Sequence, residues 1–451
     1  MSADTAKSLI IGLGATGMSC ARYLAARNEA FFVADSRLKP PNLDDFQSQF
    51  PYVDIQLGGF QESALLSASR IIVSPGVSLK TPELIKARAA GIPISGDIDL
   101  FSREVTSSVV AVTGSNGKST VVEMLAAIMD AAGKKYGLGG NLDSANAKPA
   151  LDLLLEQPKD LYVLELSSFQ LETTEALNAE VAVLLNISMD HMDRYDDMNE
   201  YLIAKQRIFR GCKKVVINRS EPRSIPQNRD SLPSIDFGFD RPGVNGLGLL
   251  QEGEDQYLAF QFEKIVSVSE LKIFGQHNIA NCLAAIGLAL SVGIGIKAIR
   301  KALIGFSGLP HRCEWVANIA GVEFYNDSKG TNVGATIAAV EGLGRHIAGD
   351  IILIAGGVGK GADFSNLLPV INRWSKRVIL IGKDAKELAL ALNPETQAVF
   401  AKDMHDAVTV ALSHATPGDA ILLSPACASF DMYANYRERG QSFIQSVGQL
   451  Q

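Results

Sequence analysis

Thr113-Gly114-Ser115-Asn116-Gly117-Lys118-Ser119-Thr120 combines two glycines, a lysine and two adjacent hydroxyls. A Gly-rich turn of this kind aims backbone N–H groups and a helix N-terminus at phosphate. Lys118 would neutralise β- and γ-phosphates, and the hydroxyl of Ser119 or Thr120 could ligate Mg²⁺. The full phosphate-loop pattern wants Gly at position 112, where Val112 stands, so the match is a short variant. An apolar run at 109–112 precedes it and a helical pattern at 121–132 follows, the context that makes such a turn a nucleotide site rather than a plain loop.

A second glycine constellation, Gly12-Leu13-Gly14-Ala15-Thr16-Gly17, also follows a strand pattern, and Asp35 ends the next one. This is the dinucleotide fingerprint with its acid about 20 residues on. Alone it would suggest NAD and an oxidoreductase. The same geometry cradles any diphosphate, and with an ATP-type loop downstream a nucleotide-diphosphate substrate fits better.

Other polar groups sit at the ends of apolar runs. Glu165, in Leu164-Glu165-Leu166-Ser167-Ser168-Phe169-Gln170, is either salt-bridged or a metal ligand, because a carboxylate there is costly otherwise. His191, in the 186–193 segment, reads equally as a metal or substrate contact and as a structural histidine. Lys205 falls on a helical pattern and, on the residues alone, is a surface lysine. Asn278 and Asn281 precede an Ala/Leu-rich helix, where their amides could read an adenine edge or cap that helix. His311-Arg312, Asn326-Asp327-Ser328-Lys329 and the loop carrying Lys360 place fixed charges on loops. They suit either transferring phosphoryl charge or a solvated surface.

The elements that must position these residues alternate. Short continuous apolar runs at 9–11, 31–34, 70–73, 109–112, 162–166, 181–185, 351–355, 378–381 and 421–423 are each followed by helix-like stretches. That pattern predicts α/β architecture with parallel sheets covered on both faces, whose ligands gather at strand C-termini. A period-2 run at 257–268 predicts a small antiparallel addition to the central sheet. Three domains are expected: a Rossmann-like unit over residues 1–96, a central phosphate-loop ATPase-like unit over 97–308 and a Rossmann-like unit over 309–451. Pro93-Ile94-Ser95-Gly96-Asp97 reads as a connection, and 219–242 as a polar, Pro-rich stretch.

Composition narrows the class. Net charge is −7, which argues against non-specific nucleic-acid or anionic-membrane binding. The five cysteines are scattered without a CxxC pair, which excludes a zinc knuckle or disulfide framework and suits a reducing compartment. The polar Met1-to-Lys7 segment leads into a strand pattern, and no apolar run reaches a membrane-spanning length. A cytoplasmic protein is expected.

Taken together and in order, these segments resemble the Mur ligase family, ATP-dependent amino-acid ligases of peptidoglycan precursor synthesis. Within it, Leu309-Pro310-His311-Arg312, Asn326–Lys329 and Leu423-Ser424-Pro425-Ala426-Cys427-Ala428-Ser429 resemble the D-glutamate-adding branch. The Asp-Asn-Pro-Arg box of the diaminopimelate-adding relatives is absent. The resemblance implies ATP and two Mg²⁺ ions, with UDP-N-acetylmuramoyl-L-alanine and D-glutamate as substrates of a monomer. Gly114, Ser115, Asn116, Gly117, Lys118, Ser119 and Thr120 would then hold ATP phosphates, and Asn278, Asn281 and Asp327 the adenosine.

Lys118, Arg312 and Lys329 would surround the transferring phosphoryl group. Ser119, Glu165 and His191 would serve the metals, with Lys205 carrying a CO₂-derived carbamate. Gly14, Ala15, Thr16, Asp35, Arg37, Ser74 and Gly76 match the uridine diphosphate pocket. Asn141, Ser167, Gln170 and His191 match the muramoyl region, and Thr331, Lys360, Ser429 and Tyr436 the D-glutamate site. Two departures stand out: Leu142-Asp143-Ser144 replaces a small apolar-Gly turn, and Val358 replaces an Asp. A non-catalytic nucleotide switch and a folylpolyglutamate-type ligase are the competing readings. The first leaves Glu165, His191 and Lys205 without a shared purpose, and the second leaves the N-terminal fingerprint unexplained.

Overall fold

The computed structural model describes residues 7–142, 144, 147–227, 229–392 and 398–450. Asp143, one of the two departures, lies outside them. Among the described residues the strands form three sheets, in an α/β arrangement.

The first sheet comprises β1 (Ser8–Ile11), β2 (Phe31–Asp35), β3 (Ile55–Leu57), β4 (Arg70–Val73) and β5 (Ile94–Ser95), in the order β3-β2-β1-β4-β5. All its pairings are parallel. Part of the segment expected to be only a connection thus forms an edge strand, and Asp97 starts the helix Asp97–Glu104.

The central sheet contains β6 (Ser108–Thr113), β7 (Tyr136–Gly140), β8 (Leu161–Glu165), β9 (Val181–Leu184) and β10 (Val215–Asn218). Beyond them come β11 (Ser234–Phe237), β12 (Gly246–Glu252), β13 (Asp255–Phe260) and β14 (Glu263–Ser267). The order is β14-β13-β12-β11-β10-β9-β6-β8-β7. Pairing is parallel from β7 to β12 and antiparallel through β13 and β14, the addition its period-2 pattern predicts. Strand β11 lies inside the stretch read as polar and Pro-rich. Its Ser-Ile-Asp-Phe sequence has too little apolar character to stand out.

The third sheet holds β15 (Glu314–Ile319), β16 (Val322–Asn326), β17 (Ile351–Gly356), β18 (Ser375–Ile381), β19 (Ala398–Phe400) and β20 (Ala420–Leu423). Its order is β15-β16-β20-β17-β18-β19, with only the β15–β16 edge antiparallel.

Side chains alternate across a strand, so a continuous apolar run feeds two cores at once. Leu9 and Ile11 enter one cluster while Ile10 enters the other. Val110 and Val112 part from Val109 and Ala111 in the same way, as do Leu353 and Ala355 from Ile352 and Ile354. The cluster holding Ile10 and Val33 of the first sheet continues through Ile98 and Phe101 to Ala111 and Leu164 of the central one. That junction is apolar. The third sheet meets the central unit through Phe274, which packs on Tyr325 and His346, and through polar side chains described below.

One close approach at the first-sheet turn is decisive. A Cβ on Gly17, in the helix Ala15–Ala26, would lie 2.0 Å from the backbone oxygen of Gly12, whereas one on Gly14 meets nothing within 4 Å. Gly17 therefore sets helix-to-strand contact, and Gly14 leaves backbone open to a ligand. Gly17→Ala should cost about 3 kcal/mol or more, because the obstruction is backbone. Its urea midpoint should fall well below that of Gly14→Ala, and equal midpoints would overturn the assignment.

Candidate active site

The fingerprint turn and its neighbours enclose a cavity of about 460 Å³. Gly14, Ala15, Thr16, Asp35, Arg37, Ser74 and Gly76 line it from the first sheet, joined by Asn141 and Gln170 from the central unit. It opens where β1 passes to β2 on one side and β4 on the other, the crevice at which strand order reverses. The Asp35 carboxylate is already engaged. It accepts the Leu13 N–H at 2.7 Å and a two-pronged contact from Arg37 at 2.8 and 2.7 Å. Burial pushes its pKa up, but the Arg37 bonds and these amides outweigh that and hold it below the usual range. Arg37 is thus pinned at the rim as a fixed cation. Ser167 does not line this cavity. It caps the helix Ser168–Glu172 in a reciprocal pair with Gln170.

The phosphate loop joins β6 to the helix Lys118–Ala131. Gly114 and Gly117 take φ of 159° and 83°, and a Cβ on Gly117 would strike Asn281 Oδ1 at 2.4 Å. The Lys118 ammonium donates to the carbonyls of Gly114 and Ser115 at 2.8 and 3.0 Å. A cavity of about 140 Å³ runs from the loop to the helix Gln276–Ser291 and is lined by Asn116, Gly117, Thr120, Asn278, Asn281 and Asp327, with Arg312 and Lys329. Asn278 also donates to the Phe274 carbonyl at 2.9 Å, so it serves the helix end as well.

Glu165 ends β8 beneath the loop and is 3% exposed. One carboxylate oxygen lies 3.4 Å from the Asn141 amide nitrogen, and the other, Oε2, has no partner. An orphaned, buried carboxylate oxygen is what a metal ligand leaves when its ion is taken away. Among the described residues, no three His, Cys, Asp or Glu side chains cluster as a ready cation cage. This fits Mg²⁺, which keeps several waters and relies on phosphate oxygens. Ser119 accepts a hydrogen bond from Arg312 at 2.8 Å, tying the third sheet's loop to the same spot.

Lys205 is not a surface lysine. It is 2% exposed, on the helix Met198–Gln206, and donates to the Gly114 carbonyl at 2.9 Å and to the Thr113 hydroxyl at 3.3 Å. Among the described residues no carboxylate lies within ion-pair distance of it. Burial, reinforced by the Lys118 charge, drives its pKa well below the usual lysine range. The helix pattern is weakly amphipathic, with Lys205 beside Ala204, which is why the residues alone mislead.

His191 follows β9 with φ of 58° and is stacked edge-on against Phe169, ring centroids 4.8 Å apart. Burial lowers its pKa, leaving a neutral imidazole suited to metal. Asp190, which the sequence reading did not single out, is the hub beside it. It pairs with Lys360 at 2.7 Å, and Asn332 donates to it at 3.4 Å. Asn332 and Asn116 exchange amide hydrogen bonds at 3.1 and 3.4 Å. The phosphate loop is therefore clasped to the third sheet's helix Val333–Gly344, whose N-cap is Asn332. Asn186 was missed too. Its amide brackets Asn116, accepting from the backbone N–H at 2.9 Å and donating to the carbonyl at 3.0 Å. The available signal was a polar residue closing a buried apolar run, as for Glu165.

Lys329 lies over the Tyr436 ring at 3.9 Å, and Tyr436 shares a cavity of about 440 Å³ with Ser119, His311 and Arg312. Thr331, Lys360 and Ser429 line none of the three cavities described so far. Val358 pairs with Ala428 through two backbone bonds of 2.9 Å, so it holds the Lys360 loop against the Ser429 loop. Arg439, almost fully buried, donates to Ser328 and to the Cys427 carbonyl, bracing both loops.

Asp327 is not the solvated charge expected of a loop. Burial pushes its pKa up to about 7, while it accepts from the Ser424 hydroxyl at 2.7 Å and the Cys313 N–H at 3.2 Å. Between the ordinary 3.8 and about 7 the folded chain alone holds this proton. Its contribution to stability therefore falls as pH rises through that window, at about 1.4 kcal/mol per pH unit, and is flat above it. Asp327→Asn should gain stability relative to the parent between pH 5 and 8 in urea titrations. A pH-independent difference would refute the raised pKa.

Family models match most of the chain: a Mur ligase MurD-like N-terminal domain over residues 6–96, the Mur ligase middle domain over 112–289 and the Mur ligase glutamate ligase domain over 311–427. The UDP-N-acetylmuramoylalanine–D-glutamate ligase of Pseudomonas aeruginosa is 49% identical over 98% of both chains. The chain belongs to the Mur ligase family. The same-named enzyme of Marinobacter nauticus is 46% identical over 97% of each. The fold is shared more widely. A type C pseudomurein peptide ligase from Methanothermus fervidus superposes with TM-score 0.64 at 20% identity, covering 99% of this chain and all of that one. The UDP-N-acetylmuramate-alanine ligase of Thermotoga maritima does so with TM-score 0.63 at 17% identity, with the same coverage.

Proposed function

We propose that this Mur ligase joins D-glutamate to UDP-N-acetylmuramoyl-L-alanine at the expense of ATP, in the cytoplasm, for peptidoglycan precursors. A carboxylate is a poor electrophile, so the γ-phosphoryl of ATP first passes to the alanyl carboxylate, giving an acyl phosphate and ADP. The amine of D-glutamate then attacks the acyl carbon, the tetrahedral intermediate expels phosphate, and the amine's proton leaves with the solvent. No helix of the described residues is long and apolar enough to cross a membrane.

The observation that carries the reading is a phosphate loop clasped by the third sheet's Arg312 and Asn332, with the first sheet's cavity reaching Glu165 beneath it through Asn141. The 460 Å³ cavity with its pinned Arg37 suits a uridine diphosphate, with Asn141 and Gln170 towards the sugar. Lys118 and Arg312, both against the loop, are placed to neutralise the transferring phosphoryl group. Lys329 beside Tyr436 suits the developing charge at the acyl carbon. Thr331, Lys360 and Ser429 are the proposed D-glutamate contacts, which requires Lys360 to share or leave Asp190 when the amino acid arrives.

Ser119 and Glu165 would hold one Mg²⁺ and His191 a second, and each ion would supply charge neutralisation for phosphate oxygens. A neutral Lys205 amine adds to CO₂, forming a carbamate and releasing one proton. The depressed pKa favours the reactive neutral form, and the resulting anion would face the Lys118 ammonium. The domains proposed are residues 1–96, 97–308 and 309–451, working as a monomer. Their polar second junction, through Arg312, Asn332 and Lys360, suits opening and closing around substrates.

Phosphate release from ATP with UDP-N-acetylmuramoyl-L-alanine tests the whole reading. Release that requires D-glutamate, fails with L-glutamate and matches amide formed is the expected result. Release with no amino-acid dependence, or none with any amino acid despite ATP binding, would overturn it.

A further inference from the structure

The largest of the described cavities serves none of these roles. It measures about 700 Å³ and lies where the first sheet's unit meets the central one, behind the helix that carries Lys205. Its floor is the side of Met198–Gln206 presenting Ile203 and Ala204, while Lys205, the next residue, points to the phosphate loop. The helix Pro82–Ala89 supplies Ile85 and Arg88, and the helix Asp97–Glu104 supplies Asp99 and Arg103.

Most of the charges around it pair off, but two guanidiniums do not. Lys80 is taken by Asp196 and Glu200 at 2.9 and 3.0 Å, Arg103 by Asp99 at 2.7 Å, and Arg194 by Glu172 at 2.8 Å. Among the described residues, Arg88 and Arg207 have no carboxylate in ion-pair distance. Glu175, 85% exposed, lies 3.9 Å from Arg103. Arg207 spends its Nε and Nη2 on one carbonyl, that of Thr174, at 3.2 and 2.8 Å. Beside these cations Ile85 and Ile203 are each more than half exposed.

We propose that this cavity is a binding site for a small amphipathic anion, a carboxylate or phosphate ester carrying a short aliphatic group. The anionic head pairs with Arg207 and Arg88, and the chain covers Ile85 and Ile203. A bound anion supplies the counter-charge that a half-buried guanidinium lacks. It also bridges two units already tied there by Lys80 and by Arg194, which donates to the Pro75 and Val77 carbonyls at 2.9 and 3.3 Å. Those carbonyls flank Gly76 of the nucleotide cavity, so occupancy at one site stiffens the wall of the other.

The test uses the full chain with labelled isoleucine methyls and four probes: hexanoate, hexyl phosphate, hexanol and hexylamine. Either anion should shift the Ile85 and Ile203 methyls saturably, with a Kd of about 1 mM, and the neutral and cationic probes at least about tenfold more weakly. Tighter hexanoate identifies a carboxylate ligand, and tighter hexyl phosphate a phosphate ester. Arg207→Gln should weaken the anion about tenfold or more, the loss expected for one charged partner. Ile203→Asp, at an exposed position that leaves folding intact, should do the same by repulsion, read at Ile85. Equal shifts from all four probes, no shift from any, or displacement of the anion by UDP-N-acetylmuramoyl-L-alanine would each overturn the proposal.

Discussion

Lys118→Ala should lower kcat/KM by about a thousandfold while leaving the fold in place, since charge placed on a transferring phosphoryl group supplies losses of that size. The ammonium now bridges the Gly114 and Ser115 carbonyls, so it stands within the loop and moves only a short way to reach phosphate. Burial lowers its pKa, with Glu165 and Asp190 nearby acting the other way. Removing it leaves Gly114 still bonded by Lys205, and the loop stays braced by Asn186. Lys118→Arg should rescue little, because a planar fork cannot sit where a compact ammonium meets two carbonyls. Single-turnover formation of acyl phosphate distinguishes the outcomes. A variant that phosphorylates substrate within tenfold of the parent rate would remove Lys118 from the chemistry.

Much of the fold was legible because one physical pattern repeats. Runs such as 9–11, 109–112 and 351–355 are apolar at every position, which only a strand covered on both faces requires. The residues just beyond them, Gly12, Gly114 and Gly356, then mark where loops turn above the sheet. Weakly apolar edge strands escaped: β5 has two residues, and β11 carries Ser and Asp at alternate positions. Site residues were legible by type where the backbone does the work, as in the two glycine turns. Burial was not legible. Lys205 and Asp327 have the sequence surroundings of solvated charges, and only tertiary packing removes water from them. Asp190 and Asn332 were hidden for a related reason. Their partners, Lys360 and Asn116, lie 170 and 216 residues away, and one sequence carries no record of such pairing.

Lys205→Met should raise stability and abolish turnover, two effects of opposite sign from one atom. The side chain is buried, has no carboxylate partner, and its pKa is forced down first by burial and then by Lys118. Methionine fills nearly the same volume with no ionisable group, so it avoids the cost of holding an amine where its charged form is disfavoured, a gain of about 1–3 kcal/mol. The hydrogen bonds it gives up orphan nothing: Gly114 keeps its bond from Lys118, and the Thr113 hydroxyl still donates to the Leu166 carbonyl at 2.7 Å. Activity should nonetheless fall by about a thousandfold or more, because no anion can form there to position a metal beside Glu165 and His191. Urea titration in CO₂-depleted buffer isolates the stability effect, since the parent then carries the free amine. A lower midpoint for the variant would refute the buried-amine account. The parent's activity should drop in the same buffer and return with bicarbonate, while the variant responds to neither. A bicarbonate-insensitive parent would leave Lys205 as an amine in the working enzyme, and a variant within tenfold of the parent would leave it without a catalytic part.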